Sequence, residues 1–478
     1  MRPWLCVRAE RSPHAPALLW RGGVVTWREL AARAAARAAA LCAAGVRPGD
    51  RVAALLGNDP AFVELLHAVP QAGAILVPLN LRLAPPELAR QLRDAGARLL
   101  VHGPGPLAEQ ACAAAAQAGA AAIAAAALAA PGPGEEPVLA PAAPAVIVYT
   151  SGTSGEAKGV VLGHAGLAAG AAASARHLGT HPADRWLACL PLFHVGGLAI
   201  LVRSVLAGLP VVLHERFDPA AVSRALDEEQ VTLASLVPTM LARLLDERRG
   251  RPPGAALRAV LLGGAGAPAP LLERAAGAGW PLLPTYGLSE AGSQVATLPP
   301  GAPLRADGGG LRPLPGTGVR IAPEGEIQVR GPTLMQGYWG RPAASARALA
   351  GGWLRTGDLG ALDADGTLRV LGRADDMLVS GGENVHPAEV ETALLAHPDV
   401  ADAGVAGLPD AEHGERPAAW VVLAPGARAD AGALERFLRA RIAGYKVPRS
   451  YRFVAALPRN AGGKLVRRML AGEGAVAG

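Results

Sequence analysis

Residues 145–164 read AVIVYTSGTSGEAKGVVLGH. The apolar run from Ala145 to Tyr149 has the length and make-up of a buried strand, and Val160 to Leu162 form a second. Between them lie Thr150, Ser151, Gly152, Thr153, Ser154, Gly155 and, a little further on, Lys158. Glycines expose backbone N–H groups, hydroxyls donate hydrogen bonds and an ammonium adds a mobile charge, which together suit a polyphosphate. A Walker loop needs GxxxxGK[ST] running into a helix. Here Lys158 is followed by Gly159 and a strand, so a P-loop nucleotide hydrolase is excluded.

The pattern continues on both sides. RVAALLGN at 51–58, the helical PAFVELLHAVPQAG at 60–73 and AILVPLN at 74–80 are followed later by PVVLHE at 210–215, AAVSRALDEEQ at 220–230 and TLASLVP at 232–238. Short apolar runs alternating with longer helical patterns predict an α/β architecture with largely parallel sheets. One more unit is expected as a helix over 106–117 and a weak strand over 121–128, before the loop PGPGEEP. From about 352 to 373 the texture changes to strand and turn, with Asp365-Gly366 as a hairpin signal. The tail predicts helices over 387–396 and 432–443 and strands over 401–410, 417–425 and 451–458, an α+β unit of domain size. The expected division is 1–374 for a large N-terminal domain of α/β sheets with a β-barrel-like subdomain, and 375–478 for a small α+β lid.

Composition narrows the function. Of 46 basic residues only three are lysines, Lys158, Lys446 and Lys464, which leaves 43 arginines. Asparagine is equally scarce, at Asn58, Asn80, Asn384 and Asn460 alone. In a chain so biased, a surviving lysine marks a place where a compact ammonium serves and a planar guanidinium does not. The net charge of +6 is local: ten basic and no acidic residues lie between Arg436 and Arg468, leaving about −4 elsewhere. With 4% aromatic residues, that cluster suits a small phosphorylated ligand, and no nucleic-acid partner is expected. Charges interrupt every apolar run of MRPWLCVRAERSPH, so no secretory leader is expected. The stretch 111–130 is nearly all alanine, too poor in apolar area for a membrane span. Cys6, Cys42, Cys112 and Cys189 show no paired spacing, which fits a reducing, cytoplasmic setting. Oligomeric state is left open, a homodimer included.

YTSGTSGEAKGV resembles the phosphate loop of the adenylate-forming acyl-CoA synthetases, and further family motifs follow in order. They are LPLFHVGG at 190–197, LLGGAGAP at 261–268, YGLSEAGSQVAT at 286–297, WLRTGDLG at 353–360, GRADDMLVSGGENVHPAEVE at 372–391 and PRNAGGKLVRRML at 458–470. The resemblance implies an ATP- and Mg²⁺-dependent ligase acting on a small carboxylic acid. Such enzymes form an acyl-adenylate with release of pyrophosphate, then pass the acyl group to coenzyme A. A carboxylate and an α-phosphate repel, so positive charge must be fixed between them. The resemblance gives that catalytic role to Lys464, the metal to Glu290, phosphate contact to Ser289, and ribose contact to Asp358 and Arg373. It places Gly263, Gly264 and Ala265 beside the adenine, with Tyr286 stacked on it and Gly287 next in the motif. Asp375 matches the family hinge, about which the lid swings between adenylating and thioester-forming poses. The segment Ser380, Gly381, Gly382, Glu383 and Asn384 would then line the coenzyme A channel. Lys446 is open between a phosphate contact and a structural one.

His194 matches a position gating the acid pocket. The stretch AGSQVAT is similar to that of the o-succinylbenzoate–CoA ligases of menaquinone biosynthesis, which implies that Ser293, Gln294 and Thr297 meet the aromatic carboxylate. Arg203 could supply a charge. A dianionic acid needs such donors and a fatty acid does not. Two small departures are the Gly-Gly after Val195 and serine for threonine at Ser289. The alternatives are another aryl- or medium-chain acyl-CoA ligase, or a non-catalytic adenylate-binding relative.

Overall fold

The computed structural model describes residues 1–128, 138–150, 157–305, 307–380, 383–410, 414–442, 444–460, 463 and 465–472. It has mixed α/β architecture, with a large N-terminal domain and a small C-terminal one. Two large sheets form the N-terminal part. The first has nine strands, and its centre is parallel: Leu282–Leu288, Ala259–Leu262, Leu233–Leu236, Trp186–Ala188, Val211–Leu213 and Pro16–Trp20 lie side by side. Antiparallel strands close its edges, Ser293–Thr297 and Arg312–Pro313 at one end and Gly23–Thr26 at the other.

The second sheet has seven strands, with Pro144–Thr150, Ile75–Pro78, Arg51–Leu55, Leu99–His102 and Ala121–Ala124 in parallel order. Lys158–Gly163 folds back antiparallel on Pro144–Thr150, and Gly337–Tyr338 adds the edge. The expected weak strand over 121–128 is thus a strand only to Ala124; Ala125–Ala127 turn as a 3₁₀ helix. The barrel-like part is a four-stranded antiparallel sheet, Gly318–Ile321, Glu326–Arg330, Leu354–Leu362 and Leu368–Arg373, with the Asp365-Gly366 hairpin joining the last two.

Local chemistry explains the elements. Helix Trp27–Ala43 starts on a capping box in which Thr26 Oγ1 accepts from the Glu29 N–H at 3.3 Å and the Glu29 carboxylate accepts from the Thr26 N–H at 2.8 Å. Five of its six buried residues, Trp27, Leu30, Ala34, Ala38 and Leu41, recur at three- and four-residue spacing, one stripe of the helix; Ala40 is the sixth. Helix Val195–Ala207 is buried along most of its length, from Gly197 to Val205. A Cβ at Gly197 would lie 2.4 Å from the Pro191 carbonyl oxygen, so only glycine lets that helix start so close to the preceding loop.

The C-terminal part carries a five-stranded sheet, with Val400–Asp410 and Gly414–Leu423 as its long hairpin and Ser450–Phe453 parallel to the latter. Helices Pro387–Leu395 and Ala431–Arg439 supply Val390, Leu394, Leu434 and Leu438 to a core of their own. The second helix ends earlier than the expected 443, and a 3₁₀ turn, Gly444–Lys446, follows. Arg467 is its main brace: the guanidinium donates to Asp376 Oδ2 at 2.7 Å, to Glu391 Oε2 at 2.6 Å and to the Val405 carbonyl at 3.2 Å.

A buried amide links the two large sheets, which also share one apolar core. Asn58, after strand Arg51–Leu55, donates to the carbonyls of Leu190 at 2.9 Å and His214 at 3.0 Å, and its Oδ1 accepts from the Leu192 N–H at 3.0 Å. Both acceptor loops follow strands of the other sheet. Asn58→Ala strands those groups and is expected to cost about 2 kcal/mol, within the usual range for buried unsatisfied partners; urea unfolding of the two proteins measures it.

Candidate active site

The phosphate-loop strands are in antiparallel register, with Thr150 opposite Lys158, so the loop between them closes at its base. Ser151, Gly152, Thr153, Ser154 and Gly155 lie outside the described residues, as do Gly381, Gly382 and Lys464; for Asp375, Glu383 and Asn384 only the backbone is described. Gly463 is described, and a Cβ on it would lie 3.4 Å from Thr239 Oγ1, so the tail of the C-terminal domain reaches the helix Pro238–Arg248.

Three motifs distant in sequence meet around Tyr286 and Tyr338. Tyr286, buried at the end of strand Leu282–Leu288, donates its hydroxyl to Asp358 Oδ2 at 2.6 Å. Asp358 Oδ1 accepts from Arg373 at 3.0 Å, because Asp358 and Arg373 are direct partners across the antiparallel pair. Arg373 also donates to the Thr356 carbonyl at 3.1 Å, and the Thr356 hydroxyl accepts from the Asp358 N–H at 3.0 Å. Burial, with the Asp358 charge beside it, pushes the Tyr286 phenol up from its ordinary value, so it stays a donor. The pair expected at the ribose is therefore assembled and held at both carboxylate oxygens.

Glu290 sits in the 3₁₀ turn Ser289–Ala291, and among the described residues its side chain accepts one hydrogen bond, from the Tyr338 hydroxyl at 3.0 Å. Lys158 Nζ lies 5.2 Å from the centre of the same ring. A carboxylate held by a neutral donor, with no cation paired to it among the described residues, is a hard-oxygen ligand of the sort Mg²⁺ takes. Gly263 donates its N–H to the Leu236 carbonyl at 3.1 Å, and Gly264 and Ala265 follow at the strand end.

The acid-side residues divide. His194 is the N-cap of helix Val195–Ala207, its ring 4.5 Å from that of Phe193 and its pKa lowered by burial and then by Arg82. Arg203 lies nine residues further along that helix, two and a half turns on, and so does not share His194's face. It lines a small cavity, about the size of one water, with Leu167, Gly170, Ala171, Val202 and Gln294. Its side chain is buried, which pulls its pKa down to about 10, and its contact with Ser293 Oγ is long, at 3.5 Å. Arg203 Nε and Gln294 Oε1 are buried with no hydrogen-bond partner among the described residues. Gln294 Nε2 donates to Thr297 Oγ1 at 2.9 Å, and Thr297 shares a 2.6 Å bond with Thr285. Ser293 is held at φ 120°, a left-handed value that costs a serine on the order of 1–3 kcal/mol. The cause is next to it: a Cβ at Gly287 would fall 1.8 Å from the Ser293 carbonyl oxygen, so the two strands touch backbone to backbone at a bulge.

Sequence reasoning missed Tyr338, in MQGYWG, and the sheet-joining Asn58. Only the scarcity of asparagine pointed to the second. Lys446, left open between two roles, pairs with both oxygens of Glu389, at 2.6 and 2.8 Å, at the start of helix Pro387–Leu395.

Two family models match the chain, AMP-binding enzyme over residues 6–339 and AMP-binding enzyme C-terminal domain over residues 389–464. A 2-succinylbenzoate–CoA ligase of Geobacillus kaustophilus is 42% identical over 98% of this chain and 97% of its own. A feruloyl-CoA synthase of an Amycolatopsis species is 40% identical over 97% of both. Solved structures of o-succinylbenzoate CoA synthetase from Bacillus subtilis, 38% identical, superpose with TM-scores of 0.92 for the acyl-adenylate complex and 0.89 for the complex with ATP and magnesium ion. Each covers 98% of this chain, and the chain covers 98% and 99% of them.

Asp358→Asn keeps the size but loses the charge that Arg373 and Tyr286 address. Charge-assisted bonds of this kind contribute about 1.5–3 kcal/mol, so ATP affinity by calorimetry is expected to fall about tenfold or more. Tyr286→Phe, which leaves the carboxylate and Arg373 in place, is expected to lose less.

Proposed function

We propose o-succinylbenzoate as the acid substrate of this chain, which belongs to the AMP-binding enzyme family and is an AMP-forming acyl-CoA synthetase. ATP and Mg²⁺ serve the first step, and coenzyme A is the second substrate. The observation that carries the acid is Arg203: a buried guanidinium with one long hydrogen bond and the Trp186 ring 5.6 Å away, beside the amide of Gln294, at a small cavity. Burying a charge is costly unless something of opposite sign reaches it. A second carboxylate does that, and o-succinylbenzoate has one on its ring. Ser293 then supplies a hydroxyl donor, while Gln294, expected as a second donor, has its Nε2 committed to Thr297 and lines the cavity with its amide oxygen free among the described residues. A feruloyl or fatty acid has only the carboxylate that reacts, so it would leave Arg203 without an anion.

In the first step a carboxylate oxygen of the succinyl arm attacks the α-phosphorus, the bond to the β-phosphate oxygen breaks, and pyrophosphate leaves. Lys158 and Lys464 place positive charge on the phosphates and the attacking carboxylate, reducing the repulsion between the two anions. Mg²⁺, held by Glu290, would neutralise phosphate charge. Asp358 with Arg373 orients the ribose, and the backbone at Gly263, Gly264 and Ala265 leaves room for the adenine, with Tyr286 alongside. His194, at the mouth of its helix, borders the path of the acid. In the second step the coenzyme A sulfur, having lost its proton, attacks the acyl carbon and AMP departs. For this the segment 375–478 turns about Asp375, withdrawing Lys464 and bringing Gly381, Gly382 and Glu383 to the pantetheine arm. The domain boundary, the hinge and a cytoplasmic setting, where ATP and coenzyme A are at hand, belong to the same proposal.

Pyrophosphate release is to be measured with o-succinylbenzoate, benzoate, 4-hydroxybenzoate, ferulate and octanoate, each with ATP and Mg²⁺. The greatest kcat/KM is expected with o-succinylbenzoate, and Arg203→Met is expected to lower it about a hundredfold, as loss of a buried charge pair does, while barely changing the benzoate value. A wild-type preference for ferulate or octanoate overturns the assignment. Lys464→Ala is expected to lose pyrophosphate release far more than transfer of a preformed acyl-adenylate to coenzyme A; equal losses would count against the turning lid.

A further inference from the structure

We propose that Tyr338 is a positioning residue for ATP and its metal, holding the Glu290 carboxylate with its hydroxyl and the Lys158 ammonium on its ring. The inference rests on the reading of Glu290 as the metal carboxylate and Lys158 as a phosphate contact, and adds the group that sets both.

The backbone around Tyr338 is stitched to both partners' segments. The Met335 N–H donates to the Glu290 carbonyl at 2.8 Å, the Gln336 N–H to the Val161 carbonyl at 2.9 Å and the Trp339 N–H to the Gly159 carbonyl at 2.7 Å. The Tyr338 N–H is taken by Ser345 Oγ at 2.8 Å. Tyr338 stands opposite Val160 in an antiparallel pair, so Lys158, two residues before Val160, is its diagonal neighbour on the same face. Diagonal neighbours lie about 7–8 Å apart at the backbone, within reach of an aromatic ring and a long side chain. The 5.2 Å from Nζ to the ring centre and the 3.0 Å from the hydroxyl to Glu290 Oε1 follow from that placement.

The two contacts differ in what they do. The phenol occupies Oε1 of Glu290, fixes the plane of the carboxylate and leaves Oε2 for a cation. The ring face holds the ammonium by a cation–π contact, worth about 0.5–1 kcal/mol where water reaches it. A phosphate takes the ammonium's N–H donors and leaves the ring face in contact, so Lys158 keeps the ring when ATP arrives and is pre-set for it.

The test uses full-length Tyr338→Phe and Tyr338→Leu, with ATP affinity measured by calorimetry once in EDTA and once in Mg²⁺. Phenylalanine keeps the ring and loses the donor. Its affinity in EDTA is expected to match wild type within about twofold, while the tightening brought by Mg²⁺ shrinks about tenfold, the factor a hydrogen bond to a charged group carries. Leucine is expected to lose that tightening and, in EDTA, a further factor of about three, for the ring contact. Transfer of a preformed acyl-adenylate to coenzyme A, which uses neither the β- nor the γ-phosphate, serves as the readout for general damage. Equal losses in all three measurements would reduce Tyr338 to a structural residue, and wild-type behaviour of Tyr338→Phe in both titrations would overturn its role at Glu290. Glu290→Gln separates the premises: if it keeps the full Mg²⁺ effect, the metal assignment falls and the inference with it. If it loses that effect while Tyr338→Phe does not, only the inference falls.

Discussion

The Asn58 amide fixes where the two large sheets meet, and the site is built outward from that junction. Two of its three hydrogen bonds hold the loop that runs through Leu190 and Leu192 into helix Val195–Ala207. That helix sets Arg203 against the strand Ser293–Thr297, and the neighbouring strand presents Tyr286. Through Tyr286 the antiparallel sheet with Asp358 and Arg373 is drawn in. Each link is a hydrogen bond wholly or partly shielded from water, where such bonds are stronger and an unmade one is costly. The geometry around Tyr286 and Asp358 is thus tied to a contact between sheets.

Most of the architecture could be read in the sequence, because buried parallel strands leave continuous apolar runs and helices leave a three-and-four repeat. Ends were less legible. The helix read to 443 stops at Arg439, and the strand read to 128 stops at Ala124, where alanine offers nothing to tell strand from turn. At the site, Lys158 stood out as a rare lysine in a glycine-rich loop, and the family resemblance pointed to Glu290 and Asp358. Neither signal reached Tyr338, since its role depends on a strand pairing across more than 170 residues. The strain at Ser293 was likewise invisible: it arises from a backbone contact with Gly287, and a bulge has no compositional signature.

The unequal use of the two cations has a structural counterpart. Arginines serve where several fixed acceptors must be met at once: Arg248 on Asp227 and the Pro252 carbonyl, Arg258 on Asp184 and two carbonyls, Arg467 on two carboxylates and a carbonyl. A planar fork suits such permanent joints. Of the three lysines, Lys158 rests on a ring face that takes none of its N–H donors, and Lys446 spans one carboxylate at the surface. A flexible stem with a point charge suits a contact that is made and released.

The Arg467 brace has a mechanical meaning. Its anchors, Asp376, Glu391 and Val405, all lie beyond Asp375, and the nearest is the very next residue. If that residue is the fulcrum, the lever arm is clamped right up to it. No bending is then absorbed between pivot and load, and a change of a few tens of degrees in one pair of backbone angles is delivered undiminished to the far end of the domain.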